Sequence, residues 1–251
     1  MNGGNGWPWP RLLAHRGGGA LAPENTLAAF NAGHARGYRA AEFDAVLTAD
    51  DVPVLLHDER VDRTTNGHGS IARLPLAEVR RLDAGSWFGS AFAGERIPTL
   101  EEVLAHCRRL GTWLNVEIKP TPGREERTGT LVARTVAGSW PVATADAPLL
   151  SSFSPAALSA ARAEAPHLSR ALLVGAIGPD WRQRLQELGC TALHCDQSRL
   201  TSQRAAEVRA AGWPILCYTV NDASRLAQLR EWGVQAACTD RIDLIPAGAL
   251  G

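Results

Sequence analysis

Two short stretches of this chain carry charged residues spaced two apart. They are "YRAAEFDAVL" (38–47), with Glu42 and Asp44, and "TWLNVEIK" (112–119), with Asn115, Glu117 and Lys119. Both read as strands, in which residues two apart share a face. Glu42 and Asp44 therefore point together, away from Ala41, Phe43 and Ala45. Asn115, Glu117 and Lys119 point together, away from Val116 and Ile118. Three carboxylates aimed into one place repel each other unless a cation neutralises them. They offer hard oxygen, which suits Mg²⁺ or Ca²⁺ rather than zinc. Arg16 and Lys119 add fixed positive charge beside that position, a combination that fits the oxyanion of a phosphate. His15 and His57 each close an apolar run and titrate near neutral pH, so they can pass protons. Any one of these residues alone reads as a solvated or structural side chain. The set does not.

The elements that must position them alternate. Strands are expected at 11–15, 38–47, 112–119, 148–153, 169–175, 191–196, 214–220 and 235–239. Helices are expected at 25–37, capped by Asn25 or Thr26, and at 99–111, where Thr99 and Glu102 have capping-box spacing. Another opens at Ser154 with Pro155 in its first turn, three more follow the next strands, and a weak last one follows 235–239. Alternation implies a parallel sheet. Eight units in 251 residues match an α/β (β/α)8 TIM barrel, with an open doubly wound sheet as the alternative. We read residues 1–251 as one catalytic barrel domain. A second extended arm, 52–57, pairs with strand 2 and ends at His57. The segment 58–98 breaks the rhythm with turn signals at "TTNG" and "DAGS", and reads as a small insertion over the C-terminal face of the barrel. In such barrels chemistry sits at the C-terminal strand ends. Gly17 to Gly19, after His15 and Arg16, let the chain turn and let a ligand come close.

Composition excludes several classes. Lys+Arg and Asp+Glu are both 26, so nothing electrostatic points to nucleic acid or an anionic membrane. There is no apolar run of about 18 residues, and "MNGGNGWPWP" is no secretory signal. Trp7 and Trp9 are expected to pin this tail to the body. The five cysteines are odd in number and form no C-x-x-C pair, which reads as reduced, buried thiols in a cytoplasmic protein. Nothing argues for an oligomer.

The motifs "AHRGGGALAPENT", "EFDAVLTADDVPVLLHD", "RTTNG", "NVEIKP", "LLSSF", "YTVN" and "GVQAACTD" together resemble the glycerophosphodiester phosphodiesterase family in order and spacing, from about residue 9 to 246. The likeness is to its short cytoplasmic bacterial members. It implies a (β/α)8 barrel that hydrolyses deacylated phospholipids to sn-glycerol 3-phosphate and an alcohol. It further implies that His15 and His57 are the acid/base pair, Glu42, Asp44 and Glu117 the ligands of one divalent cation, and Arg16 and Lys119 the phosphate-binding residues. Glu24, in the PENT motif, is placed by the resemblance either at the metal shell or at the N-terminus of the following helix. The family often has Trp where Tyr218 stands, which keeps an aromatic wall.

A neutral chain without an amphipathic interfacial helix fits soluble head-group diesters rather than intact lipid. Tyr218, Phe153, Trp87 and Phe88 are the candidate walls for the glycerol and the alcohol. His68 reads as a turn residue, and His34 and His106 as exposed residues on helices. His194, near the end of strand 6, reads as structural or as a pocket residue. Asp58 is discounted as a partner for His57, because neighbours in a strand face opposite ways. The rival activities are a phosphodiester lyase on the same barrel and a barrel that binds diesters without turning them over.

Overall fold

A computed structural model describes residues 6–250. The chain opens with strand β1 (Leu12–Ala14) and helix α1 (Leu27–Ala35), then β2 (Ala40–Leu47) and the short β3 (Pro53–Leu55). After α2 (Leu76–Val79) and α3 (Leu100–Leu110) comes strict alternation: β4 (Trp113–Ile118), α4 (Glu125–Ser139), β5 (Leu149–Ser152), α5 (Pro155–Glu164), β6 (Arg170–Val174) and α6 (Trp181–Leu188). It ends with β7 (Ala192–Asp196), α7 (Ser202–Ala210), β8 (Ile215–Tyr218), α8 (Ala223–Glu231) and β9 (Ala236–Thr239). Strands β1, β2 and β4 to β9 pair in parallel, and β1 meets both β9 and β2, so the sheet closes. The result is an eight-stranded barrel with helices outside, not an open sheet. β3 pairs antiparallel with β2 and lies outside the ring.

Local chemistry sets the helix ends. Thr26 caps α1 with its hydroxyl on the Ala29 N–H, and Ser154 caps α5 ahead of Pro155. Thr99 and Glu102 form the full capping box of α3. Asn25 is therefore not the cap; its backbone is left-handed, at φ 61°. The weak last helix is not formed either. After Thr239 the chain runs through turns to Leu250.

Alternation along the strands divides the core in two. Outward residues such as Phe43, Ala45, Val116 and Ile118 pack against the helices with Leu104, Val132 and Ala157 among their buried neighbours in that layer. Inward residues Leu13, Ala40, Trp113 and Leu149 fill the barrel with Trp7, whose ring meets Trp9 and Trp113 edge-on. Trp7 and Trp9 are thus pinned to the body as expected, while residues 1–5 lie outside the described residues. The insertion has its own small core of Val61, Ile71, Val79, Ala84 and Ile97, built onto Val46 and Val54. All five cysteines are buried and unpaired by disulfides.

The glycines after Arg16 let the backbone pack closely. A Cβ on Gly18 would lie 2.8 Å from Ala29 of α1, and one on Gly19, at φ 53°, would lie 2.2 Å from the Asp240 carbonyl. These contacts bring the loop after β1 against the loop after β9.

Candidate active site

Register brings the carboxylates together. Asp44 is the direct cross-strand neighbour of Glu117, and Glu42 that of Asn115. All of them point inward and are buried. One oxygen from each of Glu42, Asp44 and Glu117 lies within 4.8 Å of the other two. Burial opposes ionisation, and in two of the three it wins. Burial, reinforced by Asp44, pushes Glu42 up to about 7 against the pull of His15 and Arg16. Burial, with Asp44 and Glu42 beside it, lifts Glu117 well above the usual carboxylate range. Asp44 goes the other way. Burial is outweighed there by the charges of Lys119, His57 and Arg16 and by a hydrogen bond from Asn25.

The donor set fits a hard divalent cation. It is all oxygen, and burial raises the pKa of two of its members, a shift that a bound cation's charge would oppose. Asn25 clamps one ligand in place: its amide donates to Asp44 Oδ2 at 3.0 Å while its oxygen accepts the Asp44 N–H at 3.3 Å. The left-handed backbone at Asn25 is what aims both ends of that amide. Lys119 Nζ sits 3.2 Å from Asp44 Oδ1, and Arg16 Nε 3.9 Å from Asp44 Oδ2. Both predicted cations therefore border the cluster.

Each predicted histidine has a carboxylate on Nδ1. His15 meets Asp240 Oδ1 at 2.6 Å and turns Nε2 towards Glu42, at 3.8 Å. His57 meets Asp58 Oδ1 at 2.6 Å. The second contact overturns the discounting of Asp58. His57 and Asp58 lie past the end of β3, in a bend, where strand alternation no longer separates neighbours. The two rings are tuned in opposite directions. Burial would lower His15, but the Asp240 hydrogen bond and the Glu42 charge outweigh it and raise the pKa. Burial dominates at His57 and lowers it despite Asp44 and Asp58. Asp240 is itself held by Asn221, whose amide donates to Oδ2 at 2.9 Å and whose oxygen takes the Asp240 N–H.

Glu24 neither enters the carboxylate cluster nor faces the helix terminus. It takes Arg16 at 2.7 Å and both terminal nitrogens of Arg63 at 2.8 Å. Arg63 also binds Asp58, with Nε 2.6 Å from Oδ2. One guanidinium from the insertion thus braces the partner of His57 and the partner of Arg16.

Phe153 and Tyr218 meet edge-on at 6.0 Å on the pocket wall, and the Tyr218 hydroxyl donates to the Val174 carbonyl. Trp87 does not join them. It stays in the insertion, its indole N–H on the Ala84 carbonyl and its ring against Phe88. His68 is exposed as expected, while His34 and His106 are half-buried on their helices and hydrogen-bonded. Asp240, Asn221, Asn25 and Arg63 are the residues that reading by element misses. All four lie within quoted motifs, Arg63 in "RTTNG", Asn25 in "PENT", Asn221 in "YTVN" and Asp240 in "GVQAACTD", so motif membership was the signal that could have found them.

Relatives share this architecture. A model of the Glycerophosphoryl diester phosphodiesterase family matches residues 15–244. A glycerophosphodiester phosphodiesterase of Caldanaerobacter subterraneus subsp. tengcongensis is 34% identical over 91% of this chain and 93% of its own. One from Bacillus subtilis is 30% identical over 92% and 84%. An Oleispira antarctica phosphodiesterase, solved in complex with the product sn-glycerol-3-phosphate, superposes with a TM-score of 0.88 at 38% identity, covering 96% of this chain and 95% of that one. An Agrobacterium tumefaciens glycerophosphodiester phosphodiesterase superposes at 0.75 with 27% identity, over 95% and 100%. With the family's match running from His15 at the end of β1 past the last barrel strand, the chain belongs to the glycerophosphodiester phosphodiesterase family and is a phosphodiesterase.

Proposed function

We propose that the chain hydrolyses soluble glycerophosphodiesters to sn-glycerol 3-phosphate and an alcohol, with one divalent cation, Mg²⁺ or Ca²⁺, held by Glu42, Asp44 and Glu117. The observation that carries this reading is the buried trio of carboxylates with a carboxylate-oriented histidine beside it. When bound, the cation supplies positive charge that draws the phosphoryl oxygens and offsets the charge that grows on them. Arg16 and Lys119 stand at the edge of the cluster and hold further phosphoryl oxygens. Asp240 and Asp58 fix Nδ1 of the two rings, which leaves each Nε2 for proton transfer. One histidine takes the proton of the nucleophile and the other gives one to the departing alkoxide. Phe153 and Tyr218 supply apolar surface beside the reacting centre. The five buried free thiols support a reducing compartment, and we place the enzyme in the cytoplasm.

The test is release of sn-glycerol 3-phosphate from glycerophosphocholine. Release should stop with a chelator and return with Mg²⁺ or Ca²⁺. Hydrolysis that ignores the chelator would overturn the metal assignment. A stable cyclic phosphate as end product, read by ³¹P NMR, would make the chain a lyase.

A further inference from the structure

Beneath the carboxylates the barrel interior changes from charged to neutral. His194 is the middle residue of β7, in register with Leu173 on β6 and Leu216 on β8. It is fully buried. Among the described residues neither ring nitrogen has a hydrogen-bond partner, and neither does the side-chain oxygen of Asn115, which is 2% exposed. Both residues line the cavity that also reaches His15, Glu42 and Glu117. Trp7 lies 6.1 Å from the imidazole and offers it no partner. Buried polar atoms left unpaired are costly and uncommon. The same barrel shows the usual remedy nearby, where the Ser152 hydroxyl donates to the Ile118 carbonyl. His194 and Asn115 have no such remedy among the described residues, so what completes them must occupy the cavity. Its free space is about 40 Å³, and one water needs about 10–15 Å³. That is room for a few waters or for the end of a small alcohol.

The chemistry of the floor selects the occupant. Burial pushes the His194 imidazole down to about 3, so it is neutral, with one nitrogen that donates and one that accepts. Asn115 adds an acceptor. Leu173, Leu216 and Cys238 supply the apolar wall. At the floor itself an anion meets only the neutral His194 and Asn115 and an apolar wall, with no positive charge to hold it. An ammonium accepts no hydrogen bond, so the donating ring nitrogen would stay unpaired. A hydroxyl donates and accepts at once and matches the set.

We infer that His194 and Asn115 form a hydroxyl-binding floor that receives the alcohol end of the glycerol moiety. The diester enters glycerol first, and its head group stays towards the half-exposed Phe153 and solvent. This inference rests on the glycerophosphodiester reading above.

The experiment compares glycerophosphocholine with the phosphocholine diesters of 1,2-propanediol and 1,3-propanediol, each lacking one glycerol hydroxyl. In the parent enzyme, loss of the recognised hydroxyl should lower kcat/KM about tenfold or more. His194→Leu should lose about the same factor on glycerophosphocholine and no longer distinguish it from that analogue. His194→Gln, which keeps a donor and an acceptor, should recover part of the discrimination and serves if the Leu variant folds poorly. Equal losses of the Leu variant on all three substrates would mean a structural histidine. No loss at all, or a parent blind to both hydroxyls, would mean that the cavity holds water alone. Each of these outcomes overturns the floor while an active parent leaves the phosphodiesterase reading intact. A parent that cleaves none of the diesters would instead sink that reading. The floor is then judged by titrating glycerol against the His194 ring signals in ¹⁵N NMR, where absence of a shift overturns it.

Discussion

Two histidines at this site solve the same problem with different partners. His15 leans on Asp240 across the seam between β1 and β9, and His57 leans on its own neighbour Asp58. A ring whose Nδ1 is engaged by a carboxylate keeps one orientation and presents Nε2 outward. His57→Ala should lower kcat/KM by about 10²–10⁴, and the heat stabilisation by added Mg²⁺ or Ca²⁺ should survive, since no proposed ligand is touched. Loss of that stabilisation would place His57 among the ligands. Asp240→Asn separates orientation from charge. The Asp240 hydrogen bond helps raise His15 against burial, so the amide should shift the His15 limb of the pH profile of kcat/KM to lower pH. A profile with both limbs unmoved would show that Asp240 does not act through His15. These partners mark the limit of reading by strand face. Glu42, Asp44 and Glu117 were legible because a two-residue period fixes direction inside an element. Asp240 meets His15 across 225 positions, and no periodicity carries such a contact. Asp58 was misjudged because alternation was extended past the last residue of β3.

Elements differ in how plainly the chain announces them. The barrel strands were legible because their apolar and polar residues alternate, and α3 because its capping box is local. Helix α4 was not named from the sequence, although it is 15 residues long. It begins at Arg124 with no side-chain cap, and the preceding "TPG" reads as a loop. The insertion was legible only as a break in rhythm, because its core borrows Val46 and Val54 from the barrel's own hairpin. Its tie to the active site is Arg63, which holds Asp58 and Glu24 together. Arg63→Lys should show what that tie does. A single ammonium cannot span both carboxylates with a planar fork. The Arg63 side chain is partly exposed, so global stability should drop by only about 1 kcal/mol. kcat/KM should fall further, about tenfold, because both His57 and Arg16 lose a brace. Limited proteolysis should cut first within 58–98. Full activity with an uncut insertion would show that its small core positions the segment without Arg63.

For the molecule as a whole, the three carboxylates make stability depend jointly on pH and on cation. In the folded, cation-free chain Glu42 holds its proton up to about 7 and burial raises Glu117 in the same direction, whereas in the unfolded chain both ionise near the ordinary glutamate value. Between those limits the folded state binds more protons, so unfolding free energy falls as pH rises. The stabilisation is complete below about pH 4.5 and is lost through about 7. Carboxylates lowered by partners, such as Glu24 and Asp58, act in the opposite sense, but their effect is confined to more acid solution. His15 and His57 enter only near neutrality and with opposite signs. With chelator present, Tm should therefore decline from pH 5 to 7.5. Excess Mg²⁺ or Ca²⁺ should flatten that decline, with the largest rise in Tm at the highest pH, because the cation favours the ionised ligands. Glu42→Gln removes one of the opposing charges. It should raise the chelated protein's stability at pH 7.5 by about 1–3 kcal/mol and abolish most of the cation's effect together with activity. A Tm that is flat with pH in chelator and equally raised by cation at pH 5 and 7.5 would mean that these carboxylates are not the cation's ligands.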